Sequence, residues 1–224
     1  GYPGAKDAAL FIEKEFRGIG LRQVTVQEYD VSIPIDKRDG TLEIVGSGAK
    51  MSVYGIWPNL VKTSTLPEDG LRGRVIDVGK GEFDQMEGLD IEGSIALMDF
   101  NSSDHWLRCA SLGAAAILFV EPDSTVYLDA EKKFLTMPLD LPRFWLSKKD
   151  GEALRRAVAG GGVEIQLDYR MDWQRQSAWN ILGTIPGYDP LLKKDVIVLE
   201  AYYDAMSVVP ALAPGAEQAA GPVG

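Results

Sequence analysis

The single histidine and the single cysteine of this chain, His105 and Cys109, stand four residues apart, which is neighbouring positions on one helix face. Such a pair could be half of a metal site, or a nucleophile with its base. Zinc needs three or four ligands, and no further His or Cys exists to complete the set. The spacing therefore predicts a structural pair, a half-buried Cys and a His at a helix start. Four acids, Glu82, Asp84, Glu87 and Asp90, miss the alternating pattern of a calcium loop. GKGEFDQMEG (79–88) has glycines but neither phosphate-loop spacing nor a following Lys-Ser or Lys-Thr, so it reads as a turn. No Gly-x-Ser-x-Gly elbow occurs, and the lone His lacks an Asp-Ser context, which argues against a hydrolase triad. The closing stretch, EAYYDAMSVVPALAPGAEQAAGPVG (200–224), has more of the outline of a metal-binding turn: Asp204 at the tip of an apolar strand, then a Pro214-Gly215 turn carrying Glu217.

The elements that must position these residues follow from periodicity. Ala9, Ile12, Phe16 and Ile19 share one face at helical spacing, predicting a helix over 5–17 that Gly18 and Gly20 end. RQVTVQEYDVSIPI alternates with a change of parity, which predicts a strand with a bulge or bend. DKRDGTLEIVG reads as a turn into another strand. GRVIDVG (73–79), GSIALMDF (93–100) and AAAILFV (114–120) are short apolar runs of the kind buried strands make. Between the last two, SDHWLRCASLG predicts a helix capped by Ser103 or Asp104 and stopped by Gly113. Strand, short helix, strand is a right-handed βαβ signature. SKKDGEALRRAVAGG supplies another helix, with a capping-box pattern from Ser147 and Asp150 and Gly160 at its end. VEIQLDY (163–169), SAWNILGTIPG (177–187) and KDVIVLEAYYD (194–204) read as three further strands. Phe144 and Trp145 are assigned to core packing over a recognition patch. Tyr202 and Tyr203 fit stacking on a ligand no better than ordinary burial.

Bulk properties narrow the function classes. The 224 residues are 46% hydrophobic and 25% charged, ordinary for a folded protein, and allow one large domain or two small ones. A net charge of −10 argues against a nucleic-acid partner, which demands clustered Lys and Arg. One cysteine rules out an internal disulfide. No run of about 18 apolar residues exists to span a bilayer. The chain opens on GYPGAKDAALFIEKEF without an initiating Met or a signal peptide, and reads as a processed piece whose targeting segment has been removed.

Two passages then carry a resemblance. YPGAKDAALFIEKEFRGIGL resembles the opening helix of the zinc aminopeptidases related to glutamate carboxypeptidase. WNILGTIPGYDPLLKKDVIVLEAYYDA resembles that family's most characteristic passage, an Asn-Val-Ile-Gly-like strand and Pro-Gly turn leading to a strand that ends Gly-Ala-His-Tyr-Asp. ASLGAAAILFVEP is similar to the Gly-Ala step of the protease-associated domain inserted in many members. The resemblance implies an α/β fold: an incomplete three-layer aminopeptidase-like portion, residues 1–64 and 171–224, interrupted by an α/β protease-associated-like insert at 65–170.

In that family two zinc ions share a bridging Asp, and one ligand is the His of a His-x-Asp at a strand end, with the Asp orienting the imidazole. Aligned here, the ligand position falls on Tyr202, the orienting position on Asp204 and the bridging position on Gln218, with Glu217 adjacent. A phenol with a pKa of about 10 is a poor substitute for imidazole, and a neutral carboxamide lacks the charge that holds two dications together. The family's Glu-Glu pair, further acid and second His come later in sequence than residue 224. The resemblance therefore implies four vestigial metal-site positions, Tyr202, Asp204, Glu217 and Gln218, with no catalytic residue, no metal ligand and no cofactor in this chain, zinc being the cofactor of the family. The expected function is a non-catalytic pseudopeptidase region used for binding or assembly, with a peptide or protein as the compatible partner. The alternative is part of an active exported metallo-exopeptidase whose remaining zinc ligands lie beyond residue 224. Kinship also implies an extracytoplasmic location: periplasmic, secreted or membrane-anchored.

Overall fold

Strands Ile95–Asp99 (β4) and Ala116–Val120 (β5) run parallel, pairing Ile95 with Ala116 through to Asp99 with Val120. From Ile95 to Met98, and along the whole of β5, both faces are buried, as their uninterrupted apolar sequences require of a parallel strand. The helix between them, Trp106–Ser111 (α3), completes the expected βαβ unit. Its end is the expected one: Gly113 takes φ +82° and its N–H reaches the Ala110 carbonyl, while Ala114 N–H reaches Cys109 O. Its start is not. The cap residue is His105, whose side chain makes no capping bond; Ser103 takes a positive φ and the Asp129 carboxylate accepts from its N–H.

The structure, a computed structural model, describes residues 4–58, 60, 62–133 and 139–203. These form a mixed α/β chain in two compact units: residues 4–35 with 173–203, and Asp36–Asp172. No helix among them is long and apolar enough to cross a membrane.

The second unit is built on a closed barrel. Strands Arg22–Ile44 (β1), Lys50–Gly55 (β2), Leu71–Asp77 (β3), Arg143–Leu146 (β6) and Val163–Thr184 (β7) join β4 and β5 in the order β1-β2-β6-β5-β4-β3-β7. The four central strands, β3 to β6, are mutually parallel; β2 and β7 flank them antiparallel. Alternate residues feed two cores, as period-2 geometry demands. Ala96, Met98, Ile117, Phe119 and Trp145 enter one, with Trp106 and Cys109 of α3. Ile95, Leu97, Ala116, Leu118 and Phe144 enter the other, with Leu154 of the helix Lys148–Ala159 (α5). Phe144 and Trp145 are thus core residues on opposite faces, with edge-on aromatic contacts at 5.3 Å to Tyr169 and 4.9 Å to Phe100. The N-terminus of α5 is capped as its sequence predicts, Ser147 Oγ accepting from Asp150 N–H at 3.1 Å. Two short helices, Phe83–Met86 (α2) and Tyr127–Glu131 (α4), occupy connections.

In the first unit, Gly4–Gly18 (α1) buries Ala9 and half-buries Ile12 and Phe16, while Ile19 lies beyond the helix and is exposed. Phe16 and Leu21 close over Gly183 of β7, where a Cβ would meet Leu21 Cδ1 at 2.7 Å. Asp30 of β1 pairs across to Arg175 of β7.

Three sequence expectations are corrected. DKRDGTLEIVG contains no turn at Asp39-Gly40: β1 continues through it, Gly40 standing opposite Val53. The glycine is there for space, since a Cβ on it would lie 2.3 Å from Val53 O and 2.7 Å from the Tyr169 ring, whose hydroxyl donates to Asp36. The stretches 163–169 and 177–187 are not separate strands; they are one, β7, running unbroken from Val163 to Thr184. Residues 194–203 form no strand, and the apolar run Val196–Leu199 is exposed.

Because the Tyr169 ring is buried and pinned by Asp36 and Phe144, it cannot yield to an added methyl. Gly40→Ala is expected to lower unfolding free energy by about 1–3 kcal/mol, read by urea denaturation; an unchanged midpoint would contradict this packing.

Candidate functional site

Of the four positions aligned with the metal turn, only Tyr202 lies among the described residues; Asp204, Glu217 and Gln218 lie outside them. Tyr202 is 90% exposed. Tyr203 is half-buried, its hydroxyl donating to Trp179 O of β7 at 2.9 Å. Zinc fits poorly at Tyr202, because its usual donors are imidazole nitrogen, thiolate sulfur and carboxylate oxygen, and a phenol is none of these. Among the described residues no group of three or more His, Cys, Asp or Glu side chains is placed to hold a metal ion.

His105 and Cys109 occupy separate environments. Cys109 is fully buried, deeper than its sequence suggests; burial raises its thiol to about 11, and its sulfur sits 4.0 Å from that of Met86. His105 Nδ1 lies 3.1 Å from Lys80 O and 3.6 Å from a Glu82 carboxylate oxygen, outside the core. The four acids do not converge either. Glu82 pairs with Arg108 at 3.2 Å, and Asp90 with Arg74 at 2.8 Å.

Two arrangements escape a motif search. At the carboxyl ends of neighbouring parallel strands, Asp77 of β3 and Asp99 of β4 both meet Arg155 of α5, at 3.2 and 2.6 Å. That edge of a parallel sheet is where α/β proteins commonly bind ligands. Here one guanidinium bridges both carboxylates and ties α5 to the sheet. The signal was present as two apolar runs each ending in Asp, RVID and ALMD. The second arrangement is a pair of buried cations. Arg143, in the apolar run LPRFWL, stacks over the Trp106 ring at 4.7 Å and donates to Trp57 O at 2.8 Å and to Lys133 O. Lys133 donates to Ser103 O and sits over the rings of Phe100 and Phe119, at 5.1 and 5.4 Å. Neither cation has a carboxylate in salt-bridge contact among the described residues. Burial lowers Lys133 to about 8, although Asp129 and Asp104 pull the other way, and burial lowers Arg143 to about 9.

A third feature is an open groove of about 700 Å³ between α2 and α3, floored by Phe83, Met86 and Leu112 and rimmed by Asp84, Glu87 and Arg108. Arg108 Nη1 donates to Gly81 O at 2.7 Å, and its guanidinium lies 4.2 Å from the centre of the Phe83 ring.

Comparison with solved structures places this fold. A zinc aminopeptidase from Bacillus subtilis superposes with a TM-score of 0.57 at 22% identity, over 83% of this chain and 42% of that one. An aminopeptidase from Aneurinibacillus sp. strain AM-1 gives 0.51 at 17%, over 85% and 45%. A peptidase M28 precursor from Shewanella amazonensis gives 0.60 at 13%, over 84% and 47%. The chain thus spans less than half the length of each, and at these identities the likeness is one of fold. No protein-family model matches the sequence, and no curated protein sequence matches it.

Two measurements follow. In the folded chain Cys109 is expected to react with a thiol reagent at pH 8 at least about tenfold slower than in urea; comparable rates would place the thiol outside the core. Lys133 holds its proton less tightly folded than unfolded, its ordinary value being 10.5. Between about pH 8 and 10.5 the unfolded chain therefore binds more protons, and stability rises with pH through that window. Relative to Lys133→Met, the wild type is expected to gain on the order of 1–3 kcal/mol there, measured by urea unfolding across pH; parallel curves would refute the shift.

Proposed function

We propose that this chain is a non-catalytic, peptidase-like region of an extracytoplasmic protein, used for binding or assembly. In this reading residues 1–64 and 171–224 belong to an aminopeptidase-like portion, and 65–170 to a protease-associated-like insert. The observation that carries it is the chemistry of Tyr202: where the family's motif has a zinc-binding imidazole, this chain has a solvent-exposed phenol. The fold likeness to a zinc aminopeptidase supports the kinship. With Gln218 at the position of the bridging carboxylate, the aligned residues offer neither a neutral imidazole nitrogen nor a shared negative charge to a metal pair. The chain's net charge of −10 favours a peptide or protein partner over a nucleic acid.

A second reading has one observation in its favour. The chain spans only 42–47% of the peptidases it resembles, so an exopeptidase assembled with ligands later in sequence is the competing function. Metal analysis and an aminoacyl reporter separate the two. The purified chain is expected to hold less than about 0.1 zinc per molecule and to cleave no reporter. Two zinc ions per chain, or turnover abolished by a chelator, would end the non-catalytic reading.

A further inference from the structure

The groove between α2 and α3 has an apolar floor that water reaches. Phe83 is 73% exposed and Leu112 50% exposed, although Met86 beneath them is buried. Its volume, about 700 Å³, lies in the range of sites that accept a small ligand or one or two peptide side chains. The charge on its rim is one-sided. Arg108 is committed, paired with Glu82 at 3.2 Å and laid against the Phe83 ring. Asp84 and Glu87 have no cation in salt-bridge contact among the described residues; Asp84 only accepts from the N–H of Gln85. The groove therefore presents apolar surface beside two uncompensated negative charges.

We propose that this groove docks an extended peptide segment carrying an apolar side chain next to Lys or Arg. The apolar side chain covers Phe83, Met86 and Leu112, and the flanking cation meets Asp84 and Glu87. Charge complementarity selects this occupant. A second copy of the chain, at net charge −10, would bring like charge to an acidic rim. Contact areas of this kind give weak, salt-sensitive binding whose specificity comes from the paired charges. The proposal gives the binding role suggested above a partner class. It uses only side chains of the second unit, so it does not depend on whether the parent protein binds zinc.

The full chain is titrated into two dye-labelled hexapeptides, Gly-Leu-Lys-Leu-Lys-Gly and Gly-Leu-Glu-Leu-Glu-Gly, with fluorescence anisotropy as readout. The basic peptide is expected to bind at least about tenfold more tightly, with affinity falling as salt rises. The exposed-site double variant Phe83→Ala/Leu112→Ala is expected to lose at least about fivefold. Asp84→Asn/Glu87→Gln is expected to lose a similar factor together with most of the salt dependence. Urea midpoints matching the wild type establish that each variant is folded, and Leu112→Gln replaces the first if it is not. Equal binding of the two peptides, or variants that bind like the wild type, would overturn the proposal. So would concentration-dependent self-association in sedimentation that Phe83→Ala/Leu112→Ala abolishes, since it would make a second copy the occupant. Failure of peptide binding with zinc absent would remove this groove while leaving the non-catalytic reading intact; two bound zincs with peptide binding retained would do the reverse.

Discussion

Burying β4 and β5 on both faces is the constraint from which the rest of the second unit follows. A strand that is apolar on both sides has to be covered on both sides, and the chain does this with two separate cores. α3 contributes Trp106 and Cys109 to one, and α5 contributes Leu154 to the other. Closure of the sheet into a barrel gives each central strand two hydrogen-bonded neighbours, so no apolar edge is exposed there. Polar chemistry is then driven to the strand ends. Asp77 and Asp99 stand at those ends, and Arg155 reaches them from α5.

The exceptions to that sorting are Arg143 and Lys133, two cations within the core that contains Trp106. A buried charge is costly unless its donors are met. Backbone carbonyls and aromatic faces meet most of them: Trp57 O and Lys133 O with the Trp106 ring for Arg143, whose buried Nε has no hydrogen-bond partner among the described residues, and Ser103 O with the rings of Phe100 and Phe119 for Lys133. The carbonyls belong to connections between elements, so the cations tie loop backbone to the core. Their depressed affinity for protons is the remaining cost of an environment without a carboxylate in contact.

Much of this was legible in the sequence. The apolar runs located β3, β4 and β5, and Ser147 and Gly113 marked helix ends that the structure keeps. Local signals failed where a distant residue decided the conformation. Asp39-Gly40 has turn chemistry, yet Gly40 sits in mid-strand because Tyr169, far along the chain, fills the space a side chain would take. The opposite failure occurs at 194–203. Its apolar run Val196–Leu199 has strand propensity, but propensity alone does not make a strand without ladder pairing, and the run is exposed and carries no strand. Of the candidate site, the Arg155 clamp and the groove were not legible, because they depend on residues brought together from different elements.

The metal turn and the groove make different physical demands. Co-catalytic zinc depends on a few donor atoms of the right kind at bonding distance, and one phenol or carboxamide in the wrong place removes the pair. A groove with an apolar floor and an acidic rim is tolerant: it needs area and sign of charge, both supplied by several side chains at once. In the reading proposed above, the phenol of Tyr202 gives up the more exacting of the two. The surface on α2 and α3 is fixed by the buried Met86 and Cys109 beneath it and by the Glu82–Arg108 pair beside it. Those contacts are packing and one ion pair among protein side chains, so the shape and charge of that surface do not depend on whether zinc is bound elsewhere.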